Sequence, residues 1–279
     1  MLTRTPTLTE AHSYQRFRLG DILLKARMYS KPLNGSLSQL VSPDPHTREM
    51  FSRLLGDIHH EVQIGKAYAP SPIKFTDRIA DPDELTVPVP IGKYTLYRNP
   101  ERPADGVPLK SGEGCFISPS SCPTTVMVSG DKALVLHTGR DCLIDRHGLE
   151  HGSPAPGREH GSIIFTALHY LGKPEQVQVK VLWSTPPHLF VHDLDHPTYG
   201  KINERMHHVV TRLWGSDSVP KRGNKFHLDL PKLVRDQCMS RGVPEDNIDL
   251  RHAYQPPSGT WLDGKAGTPR NLVVVSRHS

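Results

Sequence analysis

An α/β (α+β) fold is predicted by three patterns: a tight hairpin near the middle of the chain, apolar residues at helical spacing on either side of it, and strand-forming runs that return towards the end. Residues 124–128 and 133–136 are rich in strand formers and flank Ser129, Gly130 and Asp131, a turn signal. Before them, Asp44 can cap a helix whose first turn takes Pro45; Met50, Phe51, Leu54, Leu55 and Ile58 recur on one face, and Gly65 is the expected stop. His59 and His60 read as solvated. Residues 67–108 are strand-like pieces interrupted by prolines, with 94–97 the clearest.

Past the hairpin, residues 163–171 predict an apolar helix ended by Gly172, and 177–183 a strand alternating Val177, Val179 and Val181 with Gln178 and Lys180. A helix over 202–214 puts Ile202, Met206, Val209, Val210 and Leu213 on one face. Asp229 and Pro231 open another, which carries Leu233, Val234 and a buried Cys238 and ends at Gly242. Closing strands are expected at 248–254, 260–262 and 272–275.

The 279 residues are enough for one large domain or two small ones, and 36% hydrophobic with 23% charged is an ordinary globular balance. No run reaches the ~18 apolar residues of a membrane span, and no apolar leader follows Met1. The net charge of +5 is spread along the chain without a dense basic cluster, so neither a nucleic-acid nor a membrane partner is expected. Four cysteines, at 115, 122, 142 and 238, follow no metal-finger spacing, and reduced thiols in a cytoplasmic setting are the default. A secreted or organelle-targeted form stays open, as does a disulfide between Cys115 and Cys122, which would disarm the second thiol. Residues 1–41 read as an N-terminal extension whose order depends on packing against the body.

The hairpin carries the chemistry. A loop of residues 129–130, or of 128–131, makes the numbers of paired residues sum to 259, which sets Cys122 opposite His137; a three-residue loop would move the pairing by one and change the face. Directly opposed residues share a face with Cβ atoms about 5 Å apart. A thiol there can pass its proton to the imidazole and attack a carbonyl as thiolate. The alternative is a buried cysteine and a hydrogen-bonded strand-end histidine. Residues 139–159 form a long loop with Asp141, Asp145, His147 and His151; its histidines read as surface residues, and Cys142 is a second possible nucleophile with His160 as partner.

Ser120-Ser121-Cys122-Pro123-Thr124, then strand, turn and strand, then His137-Thr138-Gly139, resembles the cytotoxic necrotizing factor catalytic domain, where Ser-Gly-Cys-Thr leads through a hairpin to a His. It is also similar to the YfiH-like laccase-domain family, where Ala-Asp-Cys-Leu-Pro runs to His-Ala-Gly. Leu228-Asp229-Leu230, Gln237, Gly242-Val243 and the closing Gly267-Thr268-Pro269-Arg270-Asn271 resemble the second family in the same order. The resemblance, over roughly residues 110–279, implies a cysteine-hydrolase-superfamily domain at 42–279: a single α/β domain with a mixed β-sheet core or sandwich and outer helices.

For function it implies a thiol-dependent amidohydrolase of glutamine-deamidase type with a Cys122–His137 dyad. Ser120, Ser121 and a backbone amide near Cys122 would support the oxyanion. Ser121 stands where the toxin motif has Gly, and Pro123 has no N–H to offer. The substrate would be a protein presenting glutamine, or a small amide. The laccase-domain family draws its first zinc-binding His from ahead of its cysteine, but here no His lies between His60 and His137. Catalytic zinc usually takes three protein ligands, so no metal or cofactor is expected. The alternatives are a metal-dependent laccase-domain enzyme acting on purine nucleosides or phenols, and a catalytically silent binding protein.

Overall fold

The computed structural model describes residues 13–31, 33–70, 76–145, 148, 151, 160–254, 259–262 and 269–279. In chain order the elements are β1 (Ser13–Leu19), β2 (Ile22–Tyr29), α1 (Pro45–Val62), β3 (Lys66–Tyr68), β4 (Val87–Ile91), β5 (Tyr94–Arg98), β6 (Gly106–Pro108), β7 (Glu113–Ile117), β8 (Thr124–Ser129) and β9 (Lys132–His137). There follow α2 (Arg140–Leu143), α3 (Ile163–Leu171), β10 (Gln178–Ser184), β11 (Val191–Asp193), α4 (Gly200–Trp214), β12 (Lys221–Arg222), β13 (Lys225–His227), α5 (Leu230–Met239), β14 (Ile248–Tyr254) and β15 (Leu272–His278).

The described strands form three sheets: a small one of order β11-β13-β12 and two larger ones that stack on each other. The order β1-β2-β15-β7-β3-β5-β4 makes a seven-stranded sheet and β14-β10-β8-β9-β6 a five-stranded one. Val126, Val128, Ala133 and Val135 of the smaller sheet share a buried cluster with Leu24, Met28, Cys115, Val273 and Val275 of the larger, so these faces pack together as a sandwich. The opposite residues, Met127, Leu134 and Leu136, face Ile164 of α3, Met206 of α4 and Leu233 of α5. The outer face of the larger sheet, through Phe116 and Val274, is covered by Phe51, Leu55 and Ile58 of α1. The expected mixed-sheet sandwich with outer helices is thus found, and β8 and β9 are buried on both faces. No helix among the described residues is long and apolar enough to cross a membrane.

Several expectations change. The segment assigned to an extension supplies β1 and β2 from Ser13 onward; β2 lies between β1 and β15, so the boundary at 42 does not separate it from the body. Its apolar side chains at alternate positions, Leu24, Ala26 and Met28, are the reason: each is fully buried between the sheets. Asp44 caps α1 as expected, accepting from the N–H groups of His46 and Thr47, but the helix ends on Gln63 in the left-handed region at φ 57°, before Gly65. His59 is buried against Tyr94, with ring centroids 4.0 Å apart, and only His60 is on the exposed side. Residues 260–262 form no strand.

Candidate active site

The β8–β9 hairpin turns on Gly130 and Asp131, with Ser129 opposite Lys132, so pair numbers sum to 261. Thr124, not Cys122, faces His137. The positive φ of 57° at Gly130 selects this turn, because glycine takes the left-handed region without strain. The register differs from the expected one by two residues, which preserves the face. Continued past the ladder, it carries Cys122 towards Gly139. A Cβ built at Gly139 would lie 2.9 Å from Cys122 Sγ, 3.0 Å from His137 Cε1 and 3.2 Å from His137 Nε2. Sulfur and imidazole therefore converge over a glycine, and they are hydrogen-bonded.

The other edge of the ring is held from β6. Gly106 pairs with Leu136, which places Asp105 beside His137: the His137 N–H donates to the Asp105 carbonyl at 2.7 Å. His137 Nδ1 lies 2.8 Å from Asp105 Oδ1, with both side chains buried. A carboxylate only accepts, so Nδ1 carries the proton and Nε2 is turned to Cys122. Oδ2 of Asp105 accepts from the Thr76 N–H at 2.5 Å and the Thr76 hydroxyl at 3.2 Å, which fixes the carboxylate plane. Sequence reading missed Asp105, because 32 residues separate it from His137 and only strand pairing joins them. Its one local signal is Gly106, where a Cβ would come within 2.5 Å of Leu136.

Cys122 is half-buried, whereas Cys115, Cys142 and Cys238 are fully buried. All four are free, so the Cys115–Cys122 disulfide is not formed. Burial pushes the Cys122 thiol up, but the charge of His137, its hydrogen bond, a hydrogen bond from Ser121 and the charge of Arg140 outweigh it and hold the pKa below the ordinary thiol value. Burial likewise opposes charging of His137. Thiolate charge on Cys142 and Cys122 and the hydrogen bonds to Asp105 and Cys122 overcome it, raising the ring well above its usual value. Cys142 itself is pushed up to about 12 by burial and by Asp105, so at neutral pH Cys122 and Asp105 supply the effect.

Ser120 and Ser121 are both buried, and their carbonyls are pinned from two sides. Asn271 Nδ2 donates to the Ser120 carbonyl at 2.9 Å, while the Thr185 N–H and the Ser184 hydroxyl reach the Ser121 carbonyl at 3.0 and 3.4 Å. Thr185 and Ser184 follow Trp183, which is in the left-handed region at φ 57°. For a bulky residue that costs on the order of 1–3 kcal/mol. The Ser121 hydroxyl is bonded to the sulfur of Cys122.

Cys142 sits on α2 with Sγ 3.6 Å from His137 Nδ1. Its partner is thus His137 and not His160, whose ring lies against His169. The buried Gln237 amide places α2 by donating to the Leu143 carbonyl at 2.9 Å and accepting from the hydroxyl of Ser162, which caps α3. Asp105, His137 and Cys142 each offer a ligand atom, all within 4.8 Å of one another. His147 lies outside the described residues, and His151 is exposed.

No family model matches the chain, and no curated protein sequence matches it. Its fold does match solved structures. Bacillus licheniformis YfiH aligns with a TM-score of 0.61 at 10% identity, covering 93% of this chain and 98% of that one. A Neisseria meningitidis protein of the DUF152 family gives 0.57 at 12%, covering 95% and 99%. YlmD from Geobacillus stearothermophilus gives 0.57 at 13%, covering 94% and 93%. The chain therefore has the YfiH-like fold over nearly its whole length; similarity to the necrotizing factor rests on the short motif alone.

Proposed function

We propose that the chain is a thiol-dependent amidohydrolase that acts through Cys122, His137 and Asp105, with a glutamine-type primary amide as substrate. One observation carries the reading: Asp105 occupies Nδ1 of His137, which turns Nε2 to the half-buried Cys122, a thiol of depressed pKa. This is the order of orienter, base and nucleophile that acyl transfer needs. The Cys122 thiolate attacks the amide carbon, and the C–N bond breaks as protonated His137 delivers its Nε2 proton to the departing ammonia. Water, losing a proton to His137, then cleaves the thioester to a carboxylate and restores the thiol. Asp105, bonded to Nδ1, keeps the ring in one orientation throughout.

The test is ammonia release from a glutamine-bearing protein and from small primary amides. Cys122→Ser and His137→Ala should each abolish it, and release that survives both substitutions rejects the proposal.

A metal-dependent reaction is the second reading, favoured by the likeness of fold to YfiH-like proteins and by the Asp105, His137 and Cys142 group. The resemblance implies purine nucleosides or phenols as substrates and ligands drawn from Cys122, His137 and a further histidine. That set does not fit the described residues, where the group of three donors leaves Cys122 out. Metal-dependent turnover that persists in Cys122→Ser would establish the second reading.

A further inference from the structure

The donors that do gather lie on the far edge of the imidazole. We propose that Asp105, His137 and Cys142 form a site for one zinc-type divalent cation, and that its occupancy takes His137 out of the Cys122–His137–Asp105 arrangement; this consequence rests on the thiol reading above. The set combines one sulfur, one imidazole and one carboxylate, a mixture that suits zinc and leaves a fourth position open. In a tetrahedral zinc site the metal–ligand lengths place a sulfur and a nitrogen about 3.5 Å apart and an oxygen and a nitrogen about 3.3 Å apart. Cys142 Sγ is already 3.6 Å from Nδ1, while Asp105 Oδ1 at 2.8 Å has to withdraw by roughly half an ångström.

The scaffold can hold such a site. Asp105 is anchored through Thr76 on its other oxygen, Cys142 sits on a helix fixed by Gln237, and all three donors are buried. The competition follows from the ring itself. Nδ1 has one in-plane position, which either carries the proton given to Asp105 or holds a metal, so triad geometry and metal binding exclude each other at this nitrogen. Cys122, on the Nε2 side, is no ligand in this arrangement.

Cobalt(II) titration of the intact protein separates the possibilities, because thiolate ligation gives an intense near-ultraviolet charge-transfer band. The band and one equivalent of bound zinc should appear in the wild type and in Cys122→Ser, and both should disappear in Cys142→Ala and Cys142→Ser, with circular dichroism showing that the variants fold. A low-field proton resonance from the His137–Asp105 hydrogen bond should vanish as zinc is added. Loss of the band in Cys122→Ser with retention in both Cys142 variants, or no band in folded wild type, overturns the site. Persistence of the low-field proton in zinc-loaded protein overturns the competition. None of these readouts depends on amide turnover, so failure of the thiol reading leaves them interpretable.

Discussion

His137 and Asp105 meet twice, once through the backbone at 2.7 Å and once through Nδ1 and Oδ1 at 2.8 Å, with side chains only 4% and 0% exposed. The backbone bond belongs to the register of β6 on β9 and the side-chain bond to the proposed chemistry, so one strand pairing sets both. Asp105→Asn keeps the size but replaces the acceptor with an amide able to face Nδ1 as a donor, favouring the wrong tautomer. Turnover should fall by ~10²–10⁴ with little change in fold, by analogy with other triads. The check is kcat beside far-ultraviolet circular dichroism, and a loss below tenfold would mean that Asp105 does not orient the base.

Cys122 should be the thiol that reacts. Its pKa is depressed, so thiolate is present below the usual thiol range and is lost only as pH falls through the lowered value. Iodoacetamide labelling at pH 7 should modify Cys122 and spare Cys142, whose thiol is buried and raised to about 12. In His137→Ala the labelling profile should move to higher pH, since the charge and hydrogen bond that depress Cys122 are gone. Peptide mapping of the labelled site decides it.

Gly139 is the floor on which sulfur and ring converge. Its backbone, at φ −68°, is open to any residue, so Gly139→Ala acts through space alone. The new methyl would meet Cys122 Sγ at 2.9 Å and force the thiol or the ring aside. Amide turnover should drop at least tenfold while the melting temperature moves by only a few degrees, because a misplaced reacting group is costly even where folding is not.

Lys180 and Asp249 test the scaffold. Lys180 is almost fully buried in β10, an inner strand of its sheet, and pairs at 2.6 Å with Asp249 of the edge strand β14, which also accepts from Arg251. Hydrogen bonds from Arg251, reinforced against burial by Lys180, hold the Asp249 carboxyl well below its usual range. The depressed pKa means that this contribution is present above the unfolded carboxylate pKa and is lost as pH falls through the folded one. Asp249→Asn leaves a buried ammonium unpaired and should cost about 3–5 kcal/mol near neutral pH, read by urea denaturation, with a smaller penalty in acid.

Asn271 offers a separate handle on Cys122. Its buried amide donates to the carbonyls of Ser120 and Trp261 and its oxygen accepts from the Trp261 N–H, so Asn271→Ala orphans three groups at once. A loss of roughly 1–3 kcal/mol in stability is expected. Turnover by the remaining folded protein should also fall, because the segment ahead of Cys122 is released.

The sequence by itself determined the hairpin that bears the site, the helices capped by Asp44 and Asp229, and the shared face of Cys122 and His137. These depend on local signals: apolar spacing, cap residues and a period of two that survives a two-residue error in register. Only the tertiary structure decided that β1 and β2 belong to the large sheet, that His59 is buried, that Cys142 answers to His137, and that Asp105 supplies the third group. Each of those depends on contacts between residues far apart in the chain, and the stacking of two sheets that creates them leaves no periodic mark on the residues it brings together.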